Sequence, residues 1–269
     1  MAATPNPAAT VILLRDGEVS PEVLLLERHA KSEFLPDLYV FPGGRVDAHD
    51  HELSERLAAG GADAARRALP DTAPGLAPAL FVAAIRETFE EAGILLARRR
   101  GQPNLLDAKT ARDLAPHRLD VQGGGLRFGD LIEKEDLELA SDLLSVHARW
   151  ITPEMVPRRF DTFFFAALAP AGQLAAHDGI ESTDDVWIRP EDALDQARAK
   201  QRQMIFPTLC NLQTLAGFAD AEEALAASHA RPVVTVLPVL NERDGKRFLV
   251  IPKAAGYEQS EEFLGKAPS

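Results

Sequence analysis

The sequence that decides the fold reads Arg86-Glu87-Thr88-Phe89-Glu90-Glu91-Ala92-Gly93-Ile94 and closes a segment of good helix formers beginning at residue 78. No other Gly and no interior Pro interrupts this segment, and Gly93 stands where a helix commonly ends. With 3.6 residues per turn, Glu87, Glu90 and Glu91 share one side of such a helix. The stretch therefore predicts a helix over 78–91 with three carboxylates on one side, next to Arg86.

Three like charges on one side of a helix repel one another unless a cation neutralises them. Carboxylate oxygens are the ligands that Mg²⁺ and Mn²⁺ prefer. Upstream, the loop Phe41-Pro42-Gly43-Gly44 contains two glycines, which let the backbone approach closely and offer a carbonyl as a further ligand. A Glu-rich helix alone is typical of a solvated face, but the Gly-Gly loop and the Gly93-Ile94 ending favour a metal site.

The two segments together resemble the signature of the Nudix hydrolases, Gly-x5-Glu-x7-Arg-Glu-U-x-Glu-Glu-x-Gly-U, in which U is apolar. Gly44 matches the opening Gly and residues 86–94 match the second half, although Thr88 occupies an apolar position. Asp50 stands at the position of the first Glu. The pattern places the Arg 14 residues after the Gly, whereas Arg86 follows Gly44 by 42 residues, so an insertion lies inside the motif.

A motif split in this way resembles the branch of the family that includes coenzyme A diphosphatases. Two further segments support that branch, Leu24-Leu25-Leu26-Glu27-Arg28 and Arg158-Arg159-Phe160-Asp161-Thr162. The resemblance implies an α/β fold, a Nudix-type α/β/α sandwich with a mixed sheet. To this the sequence adds extra helices and a terminal hairpin that turns at Asp244-Gly245.

We expect a single Nudix hydrolase domain over residues 1–269. It has a loose N-terminus over 1–9, an insertion over 51–78 and a C-terminal extension over 219–269. Because so few residues cannot bury a core of their own, the insertion is predicted to fold as a flap beside the site. Apolar runs predict strands at 10–14, 22–27, 38–41, 94–97, 146–151, 162–169 and 186–188. Helices are predicted at 52–59, 107–114, 130–140, 207–218, 221–230 and from Pro190, and an acidic loop at 178–185.

Carried over position by position, the resemblance implies a role for each residue of the motif. The metal ligands of Mg²⁺ or Mn²⁺ would be Glu87, Glu90, Glu91 and the Gly43 carbonyl, with Gly44 beside the substrate. Arg86 would orient the glutamates, chiefly Glu90. Asp50 either braces Arg86 or has no role.

The resemblance leaves the general base open between a glutamate of the motif and an acid from a later loop. The later candidates are Glu181, Asp184 and Asp185. Among these three we prefer Glu181, because its longer side chain reaches further toward the attacking water.

A basic cluster of Arg28, His29 and Lys31 follows the second predicted strand directly. Such a cluster is either a solvated loop or a basic lip that meets a substrate phosphate. With Arg45 in the Gly-Gly loop, Arg28 is the candidate for substrate binding, since a phosphate dianion needs a cationic partner.

The composition excludes several classes of protein. A net charge of -12 argues against a general nucleic-acid binder, which needs excess Lys and Arg. One cysteine, Cys210, allows no intramolecular disulfide, and no apolar run is long enough for a membrane span. We therefore expect a cytoplasmic protein that binds a small-molecule nucleotide and neither nucleic acid nor membrane, with a homodimer as one option for its assembly.

The activity implied by the resemblance is metal-dependent hydrolysis of a pyrophosphate bond in a nucleoside-diphosphate-linked substrate, foremost coenzyme A or acyl-CoA. An alternative is a Nudix pyrophosphatase for ADP-ribose, NADH or dinucleoside polyphosphates. Another is a non-catalytic regulator that binds nucleotide. The complete set of Glu87, Glu90 and Glu91 favours an enzyme, since a pure binder does not need all the metal ligands.

Overall fold

A computed structural model of the protein describes residues 3–30, 36–57 and 60–266. The strands within these ranges are β1 (Asn6–Asp16), β2 (Pro21–Arg28), β3 (Tyr39–Val40), β4 (Gly43–Arg45), β5 (Ala97–Arg99), β6 (Leu137–Leu139), β7 (Ser145–Ile151), β8 (Phe160–Leu168), β9 (Ser182–Ile188), β10 (Thr235–Val236), β11 (Val239–Arg243), β12 (Lys246–Val250) and β13 (Glu261–Lys266). The α-helices are α1 (Ala48–Glu52), α2 (Gly61–Ala68), α3 (Leu76–Ala92), α4 (Ala108–Leu114), α5 (His117–Gln122), α6 (Phe128–Lys134), α7 (Pro190–Arg198), α8 (Phe206–Gln213) and α9 (Ala221–Ala230).

The main sheet is mixed and has β1 near its centre. Its strand order is β10-β7-β8-β1-β2-β3, with β4 beside β1 and β9 beside β2. Strand β1 runs parallel to β8 from Asn6, opposite Phe160, to Leu14, opposite Leu168. On its other side β1 pairs antiparallel with β4 near its start and with β2 near its end. This arrangement brings β4, β8 and the start of β1 together at one end of the sheet.

Successive residues of β1 belong to two separate apolar cores, one on each face of the sheet. Val11 and Leu13 pack in the core that contains α3, whereas Ile12 and Leu14 pack in the core that contains α7, α8 and α9. All four side chains are fully buried, as expected for a strand covered on both faces. Helices therefore cover both faces of a mixed sheet, which confirms the α/β/α architecture.

Helix α3 confirms the predicted helix and begins two residues earlier than predicted, after Gly75. It ends at Gly93, whose φ of 70° places it in the left-handed region that glycine adopts without strain. Thr88, at an apolar position of the motif, is buried, and its hydroxyl donates to the Ala84 carbonyl oxygen at 2.7 Å. A buried hydroxyl that is satisfied by its own helix explains why a polar residue is tolerated there.

The prediction of a loose N-terminus is wrong for residues 6–9, which belong to β1. Ala8 and Ala9 pair with β8 on one side and with β4 on the other, and both are buried. The local sequence is rich in Pro and Ala and has little strand propensity. Pairing with two strands that come much later in the chain supplies the hydrogen bonds that fix this segment.

The insertion is part of the core, and the predicted flap is wrong. Leu53, Leu57, Ala65 and Leu69 are buried in the same apolar cluster as the residues of α3. Helices α1 and α2 both pack against α3. A segment too short to bury a core of its own has buried its apolar residues against a neighbouring helix instead.

Three further segments differ from the sequence prediction because distant partners decide their structure. Residues 94–96 are buried without forming a strand, since the Gln173 side chain bonds both the N–H and the carbonyl of Leu95. The helix predicted over 130–140 ends at Lys134; Asp136 then adopts a φ of 49°, and β6 pairs with β5. The acidic loop is shorter than predicted, because residues 182–185 pair with β2 as part of β9.

The terminal hairpin is confirmed as β11 and β12, and β13 adds a third strand to it. Tyr257, from the connection between β12 and β13, accepts a hydrogen bond from Trp150 and donates one to Asn211, each at 3.0 Å. These two bonds anchor that connection to β7 and α8. Within the part of the chain that the structure describes, no helix has the length and apolarity that a membrane crossing requires.

Candidate active site

The two halves of the split motif line one cavity of about 950 Å³ at the end of the main sheet. Helix α3 forms one wall, β4 forms another, and the loop before β9 closes a third side. Nine of the predicted site residues line this cavity: Arg28, Gly43, Gly44, Arg45, Arg86, Glu87, Glu90, Glu91 and Glu181. Lys31, the remaining member of the predicted basic cluster, lies outside the described residues.

The glycine loop lies directly against the glutamates of α3 because β4 packs between α3 and β1. A Cβ atom on Gly43 would lie 2.5 Å from the Ala9 carbonyl oxygen, and one on Gly44 would lie 2.5 Å from Oε1 of Glu87. At Gly43 the obstructing atoms include backbone, so no other residue fits there, whereas a side chain at Gly44 would have to displace the Glu87 carboxylate. The Gly43 N–H donates to Oε2 of Glu91 at 2.8 Å, while the role of its carbonyl as a metal ligand stays a prediction.

Arg86 connects the acidic residues of the site through hydrogen bonds. Its Nη1 donates to Oε1 of Glu87 at 2.7 Å and to Oε1 of Glu90 at 3.0 Å. Its other two nitrogens hold Asp50 in a bidentate pair, at 2.8 and 2.9 Å, and Nη2 also donates to the Arg45 carbonyl oxygen at 2.9 Å. Asp50 therefore braces Arg86, the first of its two predicted alternatives, and Arg86 in turn orients two of the glutamates.

The environment changes the acidity of the charged groups in the site. Burial raises the pKa of Glu87 to about 7, with Arg86 opposing the shift and the charge of Glu90 adding to it. Burial likewise raises the pKa of Glu90, and burial and the neighbouring Glu87 raise that of Glu91 well above its usual range. For Arg86, burial lowers the pKa, but the hydrogen bonds and charges of Asp50, Glu87 and Glu90 outweigh it and raise the pKa.

The chemistry of the carboxylates, rather than their spacing in this structure, fits a hard divalent cation. The carboxylates of Asp50, Glu90 and Glu91 are buried and that of Glu87 is partly buried, and Arg86 is hydrogen-bonded to three of the four. Among the described residues, no three His, Cys, Asp or Glu side chains are gathered closely enough to enclose a metal ion. In this arrangement Glu87 and Glu90 bond to Arg86, and Glu91 bonds to the Gly43 N–H. Excess negative charge in a desolvated cleft is the condition that an oxygen-ligated cation relieves.

Of the three later acids, Glu181 is the one that lines the cavity. The His29 N–H donates to the Glu181 carbonyl oxygen at 2.8 Å, which holds this loop beside the end of β2. Asp184 instead accepts a hydrogen bond from the Tyr39 hydroxyl, and Asp185 bonds to His177. The geometry favours Glu181 among the later acids, and its role as the general base stays a prediction.

The cavity also contains residues to which the sequence analysis assigned no role. Arg158, Phe160 and Thr162 line it, at alternate positions leading into and along β8, and Gln122 contributes from the end of α5. The period of two in the segment 158–162 is the signal that could have identified the first three. No comparable signal marks Gln122, which lies in a short helix that the sequence analysis missed.

A buried arginine supports the site from behind. Arg118, in α5, donates from Nε to the Glu90 carbonyl oxygen at 2.5 Å and from Nη2 to the Glu91 carbonyl oxygen. The last carbonyls of a helix have no partner within the helix, and a cation there also favours the helix dipole. Arg118 thus fixes the backbone of two predicted metal ligands, a role that carries no local sequence pattern.

Comparison with known proteins identifies relatives of the chain. A family model described as the NUDT19 Nudix domain matches residues 57–215. The chain is 28% identical over 236 residues to the acyl-coenzyme A diphosphatase NUDT19 of Xenopus laevis and 30% identical over 234 residues to that of Homo sapiens. Both alignments cover 75% of this chain and 61% and 62% of those proteins, so the chain spans about three fifths of the length of these curated relatives.

The fold is similar to a solved structure as well. The crystal structure of a Nudix hydrolase from Alicyclobacillus acidocaldarius superimposes with a TM-score of 0.65 at 27% sequence identity. The match covers 83% of this chain and 96% of that one.

Proposed function

The chain belongs to the family of the NUDT19 Nudix domain, and from this premise we propose that it hydrolyses the pyrophosphate bond of coenzyme A or an acyl-CoA with the help of Mg²⁺ or Mn²⁺. The products are adenosine 3′,5′-bisphosphate and (acyl-)4′-phosphopantetheine. The observation that carries the proposal is the convergence of Glu87, Glu90, Glu91 and Arg86 on one cavity although an insertion separates them from Gly44.

Hydrolysis of a pyrophosphate requires charge neutralisation and an activated water. A divalent cation held by Glu87, Glu90 and Glu91 would neutralise the charge that builds on the phosphate oxygens and make the attacking water more acidic. Arg86 orients Glu87 and Glu90 for that task through its Nη1 atom. The two glycines let β4 lie close to the carboxylates of Glu87 and Glu91.

We propose Glu181 as the general base. Its side chain lines the cavity, and its backbone is held by two contacts, one to His29 and one to Asp178. A carboxylate outside the metal-binding set can accept the proton of the attacking water while the three glutamates of α3 remain ionised. Because Glu181 is exposed to solvent, the proton can leave after each turnover.

The choice of coenzyme A rests on the relatives and on the cations around the cavity. Two relatives in different vertebrates are named acyl-coenzyme A diphosphatases. Arg28, Arg45 and Arg158 line the same cavity as the acidic cluster. Coenzyme A carries a 3′-phosphate that ADP-ribose lacks, and a phosphate dianion is bound best by guanidinium groups.

The proposal is tested by measuring kcat/KM with coenzyme A, acetyl-CoA, ADP-ribose, NADH and diadenosine tetraphosphate, each with Mg²⁺ and with Mn²⁺. We expect a coenzyme A compound to be the best substrate. If ADP-ribose or NADH is turned over at least about tenfold more efficiently, a factor worth about 1.4 kcal/mol in the barrier, the coenzyme A assignment is wrong.

A variant of the acidic cluster separates an enzyme from a nucleotide-binding regulator. Glu90→Gln keeps the shape of the side chain and removes one ligand charge, so turnover should fall by about a hundredfold or more. The matched control is Glu133→Gln, because Glu133 is exposed on α6 and lies outside the cavity. Equal rates for wild type, variant and control would contradict a metal-dependent active site.

A further inference from the structure

Helix α5, between the predicted metal helix and the loop that carries Glu181, contacts both of them. It contributes Arg118 from its first turn and Gln122 from its end. They are four positions apart, so both side chains leave the same side of the helix. Neither residue has a role in the function proposed above.

Arg118 ties the end of α3 to the start of the Glu181 loop. One guanidinium donates to the carbonyl oxygens of Glu90 and Glu91 and, at 3.4 Å, to that of His177. The Ala176 N–H adds a second connection by donating to the Ala92 carbonyl oxygen at 3.0 Å. The last turn of the metal helix and residues 176–177 are therefore held as one unit.

Gln122 continues this connection to Glu181 itself. Its Nε2 donates to Oδ2 of Asp178 at 2.6 Å. The other oxygen of Asp178 accepts the backbone N–H groups of Ile180, Glu181 and Ser182, at 2.8, 2.9 and 2.9 Å. One carboxylate thus fixes the backbone of the turn that presents Glu181, and Gln122 fixes that carboxylate.

We propose that Arg118 and Gln122 are positioning residues, which hold Glu181 at a fixed place relative to the metal ligands Glu90 and Glu91. This inference rests on the proposed function, in which Glu181 takes a proton from the water that attacks the substrate. Arg118 connects the backbone of Glu90 and Glu91 to that of His177. Gln122 connects, through Asp178, to the backbone of Glu181. A base on an exposed loop needs such support, since a shift of about 1 Å in a catalytic group lowers rates about a hundredfold.

Gln122 also lines the cavity, so a direct contact with the substrate is the competing role. The two roles differ in what they change. Loss of a substrate contact raises KM, whereas loss of a support for Glu181 lowers kcat and leaves KM nearly unchanged.

The test is a double-mutant cycle of Gln122→Met and Glu181→Gln, measured as kcat and KM on coenzyme A. Met has nearly the size of Gln but cannot donate to Asp178. We expect Gln122→Met to lower kcat about tenfold in the wild-type background and less than about twofold when Glu181 is already Gln. The matched control is Gln102→Met, since Gln102 is exposed and outside the cavity.

Three outcomes would overturn the inference. Equal effects of Gln122→Met in both backgrounds would mean that Gln122 does not act through Glu181. An increase in KM at unchanged kcat would make it a substrate contact. A Glu181→Gln variant with wild-type kcat would show that Glu181 is not catalytic, so the two residues would have no catalytic group to position. The assignment of pyrophosphatase activity would be unaffected.

Amide hydrogen exchange tests the support independently of any activity. In Gln122→Met, the amides of Ile180, Glu181 and Ser182 should exchange about tenfold faster than in wild type, because their common acceptor loses its anchor. Amides within α3 should be unchanged in the same protein, which controls for general loosening. Unchanged exchange at 180–182 would overturn the support, whereas failure of every substrate to react would contradict only the proposed function.

Arg118→Met extends the exchange measurement to the other connection. It should increase exchange at Ala176 and through the last turn of α3 together, because one side chain holds both. Arg118 is buried and its loss can prevent folding, so Gln122→Met decides the inference where Arg118→Met yields no soluble protein.

Discussion

Asp50 is fully buried and accepts two hydrogen bonds from Arg86, across the insertion that separates the two halves of the motif. The same carboxylate accepts the Asp47 N–H at 2.7 Å and so forms a capping box at the start of α1. One side chain therefore fixes both the beginning of the insertion and the orientation of the arginine that holds Glu87 and Glu90.

Asp50→Asn should be destabilising and should also lower turnover. The variant removes the bidentate partner of a largely buried guanidinium, which keeps its pairs with Glu87 and Glu90, so the free energy of unfolding should fall by about 1–3 kcal/mol. Urea unfolding and kcat measure the two effects. Asp63→Asn is the control, because its ion pair with Arg66 is exposed and should contribute little. Wild-type values for both quantities in Asp50→Asn would contradict the bracing role.

The stability of the metal-free protein should fall as the pH rises from about 4.5 to about 7. Burial raises the pKa of Glu87 from 4.5 to about 7, so the folded state binds this proton more tightly than the unfolded state does. The stabilisation is complete below the lower value and is lost as the pH passes the upper one. Thermal unfolding in a chelator measures it, and Glu87→Gln, which has no proton to lose, should show a smaller dependence on pH.

Divalent cation should counteract that loss. Because Mg²⁺ and Mn²⁺ bind the deprotonated carboxylates, either ion should raise Tm more at about pH 8 than at about pH 5. The comparison of wild type with Glu90→Gln shows whether the effect arises in this site. An equal increase in Tm at both pH values, or an increase that survives in the variant, would point to binding elsewhere.

Leu57→Ala should destabilise the protein although Leu57 lies in the insertion. Its side chain is 6% exposed and belongs to the apolar cluster around α3, so truncation leaves a cavity and costs about 2–5 kcal/mol. Leu174→Ala is the control, since that side chain is 74% exposed. Chemical unfolding that finds the two variants equally stable would mean that the insertion does not share the core.

Arg28→Ala should raise KM for coenzyme A about tenfold and for dephospho-coenzyme A less than about twofold, since the 3′-phosphate loses a cationic partner. Arg158→Ala tests the alternative that Arg158 binds the 3′-phosphate, because Arg158 lines the same cavity. The control is Arg66→Ala, on the exposed side of α2. If Arg158→Ala alone discriminates between the two substrates, the 3′-phosphate lies at that arginine instead.

The sequence predicted those features that depend on local pattern or on the motif. Helix α3 followed from its helix formers and from Gly93, and the motif led to the residues that line the cavity. β6 could not be predicted in this way, because the segment Leu137-Glu138-Leu139 fits a helix as well as a strand. Its pairing with β5 decides between the two.

The residues that support the site, such as Arg118, could not be predicted from the sequence for a different reason. Arg118 recognises carbonyl oxygens, and every residue has one, so no particular side chain identifies its partners. The side-chain amide of Gln173 likewise makes the two backbone hydrogen bonds at Leu95 that a neighbouring strand would otherwise make. Leu57 and Leu69 were assigned to a flap because the insertion is too short to bury a core of its own, and the sequence does not show that they pack against α3.

The parallel pairing of β1 with β8 also has a consequence for how the protein is made. β1 emerges from the ribosome first, yet the sheet around it stays incomplete until Leu168 has been synthesised. Until then one edge of an apolar strand is unpaired, and such edges are prone to associate with other chains. A nascent chain that contains β1, β2 and β4 but not β8 therefore exposes that edge, and pairing with β8 removes it.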